Sequence, residues 1–114
     1  MLPFWVVAPG PRLCLHLAEN SAERVVLVAV GEIDMATAPD VDAALEPFLD
    51  SAAAVVLDVR DITFLDCFGL RSLQRARLRN PRFALRSPGY PVLRLLSLVH
   101  PAAFEEWIED AKGE

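Results

Sequence analysis

The chain has 114 residues, of which 54% are hydrophobic, and its net charge at neutral pH is −5. This length accommodates one domain with one core and excludes a second core. The longest apolar runs, Val25–Val30 and Leu95–Val99, fall far short of the roughly 20 residues that a membrane-spanning helix needs, so we expect no membrane partner.

The chain begins with an apolar arm, residues 1–11, which contains Phe4 and Trp5. The arm has no Lys or Arg before Arg12, whereas a secretory signal places positive charge ahead of its apolar stretch. We therefore expect a cytoplasmic protein in which Cys14 and Cys67 are reduced thiols. The arm itself fits a cover over the core, an additional edge strand or a contact between two copies in a homodimer.

Four strands are predicted after the arm. Apolar alternation around Cys14 and His16 indicates the first, and the β-branched run Val25–Val30 indicates a second strand buried on both faces. The polar residues between these two strands predict a hairpin. A third buried strand is expected over Ala53–Val59, and a short fourth strand over Phe83–Arg86.

Two helices are predicted between these strands. The first begins at Thr37, where a hydroxyl cap precedes a proline, and Pro47 within its apolar stripe indicates an early end or a kink. The second runs from about Cys67 to about Arg79, because Asn80-Pro81 stops a helix.

Two further helices are predicted after the fourth strand. One opens at residues 87–91, and a C-terminal helix is expected over residues 101–112, with an apolar side formed by Phe104, Trp107, Ile108 and Ala111. The order is therefore β-β-α-β-α-β-α-α. It indicates a single α/β domain over residues 1–114, with a mixed, mostly parallel sheet of four to five strands and about four helices.

Charge is unevenly distributed along the chain. Residues 1–66 carry three Arg and eleven acidic residues, whereas residues 67–104 carry seven Arg and no acidic residue. Such a block either attracts an acidic partner or pairs with acidic residues that folding brings near. Both interpretations are open at this stage.

Two loops follow predicted strands and lead into helices, which is where open α/β sheets gather their functional residues. They are Gly31-Glu32-Ile33-Asp34 and Phe64-Leu65-Asp66-Cys67-Phe68-Gly69-Leu70. Together with Thr37-Ala38-Pro39 and Val55-Val56-Leu57-Asp58, these residues make the chain resemble a STAS domain of the anti-sigma factor antagonist family. The resemblance extends from about Leu13 to Phe104.

The resemblance implies a regulator that binds another protein and is not an enzyme. Its partner would be an anti-sigma factor with the histidine-kinase-like ATPase fold, which releases its sigma factor when the antagonist binds. In that family the residue after the Asp66 equivalent is typically a serine that the partner phosphorylates. The expected partner contacts, with Cys67 at the phosphoacceptor position, are Asp34, Asp66, Phe68, Gly69, Arg71 and Arg75.

Cys67 and Phe68 are where this chain departs from the family pattern, since both positions there often carry a hydroxyl. A thiol is not a substrate for a serine kinase, so the sequence predicts that the usual phosphate switch is absent. Cys67 then acts either as a redox-sensitive contact or as a small, semi-buried residue without special reactivity. Arg71, Arg75 and Arg79 share one helix face, which favours planar contacts with carboxylates of a partner.

Other functions receive less support from the sequence. Some STAS-like domains without the acceptor serine are subunits of larger assemblies such as transporter complexes, and this is the main alternative. The net negative charge and the shortage of Lys argue against nucleic acid as a partner. His16 and His100 have no third ligand at a suitable spacing, and Cys67 has no histidine nearby in sequence, so we expect no metal, no cofactor and no catalytic site.

Overall fold

The structure of the protein is a computed structural model that describes residues 5–109, the first five of these by their backbone. Residues 1–4 of the predicted arm and residues 110–112 of the predicted C-terminal helix lie outside the described residues. The described part contains five strands and three α-helices, followed by one 3₁₀ turn. In chain order they are β1 (Trp5–Pro9), β2 (Leu13–Asn20), β3 (Arg24–Ile33), α1 (Ala38–Leu49), β4 (Ala54–Leu65), α2 (Cys67–Arg79), β5 (Ala84–Arg86), α3 (Tyr90–Val99) and the 3₁₀ turn Phe104–Trp107.

The strands form one mixed sheet in the order β1-β2-β3-β4-β5. The pairs β1–β2 and β2–β3 are antiparallel, and the pairs β3–β4 and β4–β5 are parallel. The predicted α/β fold with a mixed sheet of four to five strands is therefore confirmed. Of the roles open to the apolar arm, the structure shows the additional edge strand, because residues Trp5–Pro9 form β1.

A single core lies between one face of the sheet and the helices. Alternate residues of each strand enter this core, for example Leu15, Leu27 and Leu57, all of which are fully buried. The helices contribute their apolar stripes to the same core: Val41 and Leu45 from α1, Leu70 and Leu73 from α2, Val92 and Leu96 from α3. Because β3-α1-β4 and β4-α2-β5 are consecutive crossovers of one hand, α1 and α2 lie side by side on this face.

Two sequence predictions about regular structure differ in detail from the structure. The early end of α1 at Pro47, one of the two predicted effects, does not occur, because a proline near the end of a helix removes only one backbone donor and α1 continues to Leu49. The second predicted strand is buried on both faces only near its start, where Val26 is buried, because Val30 is 41% exposed at the other end.

The predicted C-terminal helix is also wrong over the residues that the structure describes. Phe104–Trp107 form a single 3₁₀ turn, and Ile108 is extended and bridges Leu85 of β5 in parallel. Glu109 donates its N–H to the carbonyl oxygen of Leu85, and its carboxylate pairs with Arg24 at 2.6 Å and Arg86 at 2.9 Å. These contacts hold the segment against the edge of β5. About four helices were predicted, and residues 5–109 contain three.

The pairing between the start of β2 and the end of β3 depends on a glycine. Gly31 has a φ of +125°, and a Cβ at this position would lie 2.1 Å from the carbonyl oxygen of Arg12. That same oxygen accepts a hydrogen bond from Glu32 N–H at 3.0 Å, so it is held in the sheet. A side chain at residue 31 therefore strains the backbone and separates the two strands.

We expect Gly31→Ala to lower the free energy of unfolding by at least about 2 kcal/mol, because the clash involves backbone atoms on both strands. Gly89→Ala is the matched control. A Cβ at Gly89 meets its nearest atoms at 3.9 Å and 4.0 Å, so this change should cost less than about 1 kcal/mol. Urea denaturation followed by circular dichroism measures both values. Equal effects of the two substitutions would contradict this account of Gly31.

Candidate functional site

The two loops identified in the sequence meet at one edge of the sheet. Ile33 and Leu65 are paired residues at the carboxyl ends of the parallel strands β3 and β4. Asp34 and Asp66 come directly after them, and Asp66 donates its N–H to the carbonyl oxygen of Ile33 at 3.2 Å. The edge is therefore built from two chain segments about 30 residues apart in sequence.

Asp34 organises the loop between β3 and α1. Its Oδ1 accepts hydrogen bonds from the N–H groups of Ala36 at 2.9 Å and Thr37 at 3.1 Å, and the Arg12 guanidinium donates to its Oδ2. Thr37 Oγ1 donates to the carbonyl oxygen of Glu32 at 2.8 Å and accepts from Asp34 N–H. The Asp34 side chain is only 14% exposed, so most of its hydrogen-bonding capacity is used within the molecule.

The surroundings of Asp34 act on its pKa in opposite directions. Partial burial raises the pKa of this carboxyl, and the hydrogen bonds from Thr37, Arg12 and Ala36 together with the charge of Arg12 lower it. The lowering prevails, so the pKa of Asp34 lies below its ordinary value. The ionised carboxylate thus stabilises the folded protein.

Asp66 caps the amino end of α2. Its Oδ1 accepts the N–H of Gly69 at 2.9 Å, and its carbonyl oxygen accepts the N–H of Leu70 at 2.9 Å. The cap orients the first turn of the helix so that Cys67 and Phe68 are both exposed. The predicted start of the helix at residue 67 is confirmed, and the Cys67 thiol is free and on the surface, not semi-buried.

Gly69 lies beneath this surface. It is buried against the ends of β3 and β4, and a Cβ at this position would lie 2.7 Å from the Ile33 carbonyl oxygen and 2.7 Å from Leu65 Cδ1. A glycine is required because the helix approaches the strands so closely. The residue predicted as a partner contact therefore positions the helix instead of forming the outer surface.

The predicted arginine face of α2 is divided between two environments. Arg75 pairs with Asp42 of α1 at 2.8 Å, and Arg79 pairs with Glu46 and with Asp50, the latter at 2.7 Å. Folding therefore supplies acidic partners for these two residues, as one of the two sequence interpretations proposed.

Arg71 is the exposed member of this face that keeps an unneutralised charge. Its guanidinium lies over the Phe68 ring, 5.6 Å from the ring centroid, and within residues 5–109 it has no carboxylate within 4.0 Å. The cation–π contact holds two predicted site residues together at the amino end of α2.

Two exposed apolar residues at this edge were missed in the sequence. Met35 is 65% exposed and Phe64 is 48% exposed, close to the 47% of Phe68. All three lie within three residues of the paired Ile33 and Leu65 along the chain. For Phe64 the available signal was that Ile62 and Leu65 already occupy the core positions of its strand. For Met35 it was the position between the end of β3 and Thr37, outside both the strand pattern and the helix pattern.

The remaining candidate groups are the histidines and the other possible metal ligands of the described residues. Among residues 5–109 no cluster of three or more His, Cys, Asp or Glu is placed to hold a metal ion. His100 contacts Gln74 at 3.0 Å through Nε2, and its ring packs at a tilt against the Trp107 ring, with 5.2 Å between the centroids. Within the described chain, no helix is both long and apolar enough to cross a membrane.

The family assignment follows from a family model described as "Mlab, STAS domain", which matches residues 16–100 and hence most of the chain. The chain belongs to this STAS domain family. The resemblance seen at the two loops is thereby confirmed, and the edge formed by Asp34, Asp66, Cys67 and Phe68 is the edge of a STAS domain.

Solved structures share the fold of this STAS domain. An anti-sigma factor antagonist from Mycobacterium paratuberculosis is 23% identical, with a TM-score of 0.68 over 79% of this chain and 80% of that one. The anti-sigma factor antagonist SpoIIAA in its unphosphorylated form is 17% identical, with a TM-score of 0.68 over 85% of this chain and 87% of that one. SpoIIAA of Bacillus in the phosphorylated form is 18% identical, with a TM-score of 0.64 over 85% and 90%. No curated protein matches the chain.

The lowered pKa of Asp34 predicts a pH-dependent contribution to stability. An unfolded chain protonates Asp34 near the ordinary aspartate pKa of about 4, whereas the folded domain keeps the carboxylate ionised to lower pH. The stabilisation by the carboxylate is therefore fully present above about pH 4 and is lost as the pH falls through the lower pKa of the folded state. We expect Asp34→Asn to destabilise the STAS domain at pH 6, and the difference from wild type to shrink as the pH falls toward 3. Urea denaturation at several pH values measures this difference.

Asp61→Asn is the control for this experiment. Asp61 is exposed, and within residues 5–109 no hydrogen bond to its side chain is present. A difference between wild type and Asp34→Asn that stayed constant from pH 6 to pH 3 would contradict the role assigned to the ionised carboxylate.

Proposed function

We propose that this STAS domain is a non-enzymatic, cytoplasmic regulator that binds an anti-sigma factor of the histidine-kinase-like ATPase fold and thereby releases a sigma factor. The single observation that carries the proposal is the apolar surface at the carboxyl ends of β3 and β4. Met35, Phe64 and Phe68 are about half exposed or more beside the exposed Cys67. Exposed apolar residues grouped at one edge of a small protein are typical of a protein contact.

The charged groups at this edge suggest how the partner is oriented. Arg71 is exposed, lies over Phe68 and has no carboxylate near it in the described chain, so it can bind a carboxylate of the partner through two hydrogen bonds. Asp66 and Asp34 hold the helix cap and the loop, and Arg75 is already paired with Asp42. We therefore assign the strongest contacts to Phe68 and Arg71, and a supporting role to the other predicted residues.

Cys67 gives this regulator a mode of control that differs from phosphorylation. A phosphate at residue 67 would add nearly two negative charges at the start of α2, next to Asp66, and would change the surface that the partner meets. SpoIIAA is known in a phosphorylated and an unphosphorylated form. With a thiol at the corresponding position, our proposal is that the domain stays in its binding-competent form in the presence of ATP.

A second function has one specific observation in its favour. The matching family model is described by the word Mlab and not by the antagonist role, and Cys67-Phe68 stand where phosphorylated antagonists are expected to carry hydroxyls. In this alternative the same edge binds a subunit of a larger complex, such as the ATPase of a transporter assembly.

Binding to purified proteins tests the two functions against each other. The ATPase-fold anti-sigma factors and the transporter ATPases encoded in the same genome serve as probes in isothermal titration calorimetry. We expect an anti-sigma factor to bind, and Phe68→Ala and Arg71→Ala each to weaken binding about tenfold or more. Arg94→Ala removes an exposed arginine of α3 and should leave the affinity unchanged. Binding of a transporter ATPase alone would replace the first function with the second.

The absence of the phosphate switch is tested with Cys67→Ser. We expect the anti-sigma factor and radiolabelled ATP to leave the wild-type domain unlabelled, because serine kinases transfer phosphate to a hydroxyl. The variant restores a hydroxyl at the exposed start of α2 and should accept label. Label on the wild-type protein that survives in a Cys67→Ala variant would show phosphorylation at another residue and would refute the proposed mode of control.

A further inference from the structure

A second surface lies at the other end of α2. A groove of about 490 Å³ is open between α2, the end of α3 and the 3₁₀ turn, and it is lined by Gln74, Arg77, Leu78, Pro81, His100 and Trp107. This volume is within the range of binding clefts, roughly 300–1,000 Å³.

The floor of the groove is held in place by contacts within the domain. The Trp107 side chain is buried, with the Arg77 guanidinium 5.3 Å from its ring centroid and the His100 ring at 5.2 Å. Arg77 also donates to the carbonyl oxygen of Phe83 at 2.9 Å, and Gln74 contacts His100 at 3.0 Å. A groove whose floor is already ordered loses little conformational entropy when it is filled.

Apolar side chains in the groove and near it are left in water. Leu78, the next-to-last residue of α2, lines the groove and is 84% exposed. Leu98 and Val99, near the end of α3 and not among the lining residues, are 65% and 43% exposed. Nothing in the described chain covers them. Their burial by a partner would be favourable by roughly 25 cal/mol per Å² of apolar surface.

The charge around this groove is positive. Arg77 lines it, and Arg71 stands on the same helix one turn before Gln74; within residues 5–109 neither has a carboxylate within 4.0 Å. Asp42 and Glu46 of α1 and Asp50 at its end are bound to Arg75 and Arg79, so they do not neutralise Arg71 or Arg77. A partner that carries carboxylates beside apolar residues therefore complements this surface.

The groove is continuous with the surface to which we assign the partner. Phe68, Arg71, Gln74 and Leu78 follow one another at intervals of three, three and four residues, so they lie along one face of α2. With a rise of about 1.5 Å per residue, this strip is about 15 Å long, or three turns of a helix. It joins the exposed Phe68 at the sheet edge to the groove at Leu78.

We propose that the groove receives an acidic amphipathic helix of the same protein partner, with apolar residues entering between Leu78 and Trp107 and carboxylates meeting Arg71 and Arg77. This inference rests on the proposed function, because it extends that interface along α2. A second copy of the chain is a poorer occupant, since two such faces would bring like-charged arginines together.

Designed peptides test the groove without the natural partner. The probe is a 16-residue helical peptide with leucines on one side and glutamates flanking them, and it is compared with a version in which lysines replace the glutamates. We expect the acidic peptide to shift the NMR signals of the Trp107 indole and the Gln74 side-chain amide. The side-chain amide of Asn20 is the internal control, because Asn20 ends β2 and is not among the residues that line the groove.

Two variants give the affinity comparison. Leu78→Asp removes the apolar wall and adds a negative charge, so it should weaken the acidic peptide at least tenfold. Tyr90→Asp adds the same charge at another exposed residue outside the groove, 75% exposed, and should leave the affinity unchanged. Equal binding of the lysine peptide, no shift at Trp107, or normal binding by Leu78→Asp would each overturn the proposal.

The same variants separate this inference from the proposed function. If the anti-sigma factor binds Leu78→Asp as tightly as wild type but binds Arg71→Ala weakly, the proposed function stands and the groove has no part in it. If no anti-sigma factor binds the wild-type domain, the proposed function fails, whatever the peptides show. A concentration-dependent dimer in sedimentation equilibrium that Leu78→Asp dissociates would make the occupant a second copy and refute the acidic helix.

Discussion

The amino end of α2 lies directly on the backbone of β3, and this contact decides what the edge of the sheet presents. Gly69 is buried one turn into the helix, with Ile33 so near that a methyl group would lie 2.7 Å from its carbonyl oxygen. That oxygen also accepts the N–H of Asp66, so it cannot move aside without loss of a hydrogen bond. Because the helix is held at this distance, the residues between the cap and the glycine, Cys67 and Phe68, are directed outward.

The parts of the fold that were predicted correctly depend on signals next to one another in sequence. The limits of α2 agree with the prediction, because Asp66 offers its carboxylate to a backbone N–H of the first turn and Asn80-Pro81 interrupts the helix at its end. The alternation of Leu13, Leu15 and Leu17 likewise placed β2 with one face in the core. The helix limits and the strand alternation both depend on residues that are close together along the chain, so they can be recognised from the sequence alone.

The parts that were not predicted depend on contacts between residues far apart in sequence. Phe104, Trp107 and Ile108 have helical spacing, yet Ile108 bridges Leu85 of β5 instead, and Glu109 binds Arg24 and Arg86 from two strands. Periodicity within the segment does not report these partners. The exposure of Met35 and Phe64 was missed for the same reason, since it depends on how completely other residues fill the core beneath them.

Folding pairs part of the basic block in residues 67–104 with acidic residues of the same chain. Arg75, Arg79 and Arg86 are bound to carboxylates of the same molecule, so three of the seven arginines in this block are neutralised. Nucleic acids bind through many phosphate contacts at once, which requires a long series of free cations. Within residues 5–109 the other four arginines of the block, Arg71, Arg77, Arg82 and Arg94, have no carboxylate partner. Arg71 lies over Phe68, and Arg77 lines the groove beside Leu78. Arg71 and Arg77, each in contact with an aromatic ring, are suited to a protein surface with a few carboxylates, and this favours a protein partner over a polyanion.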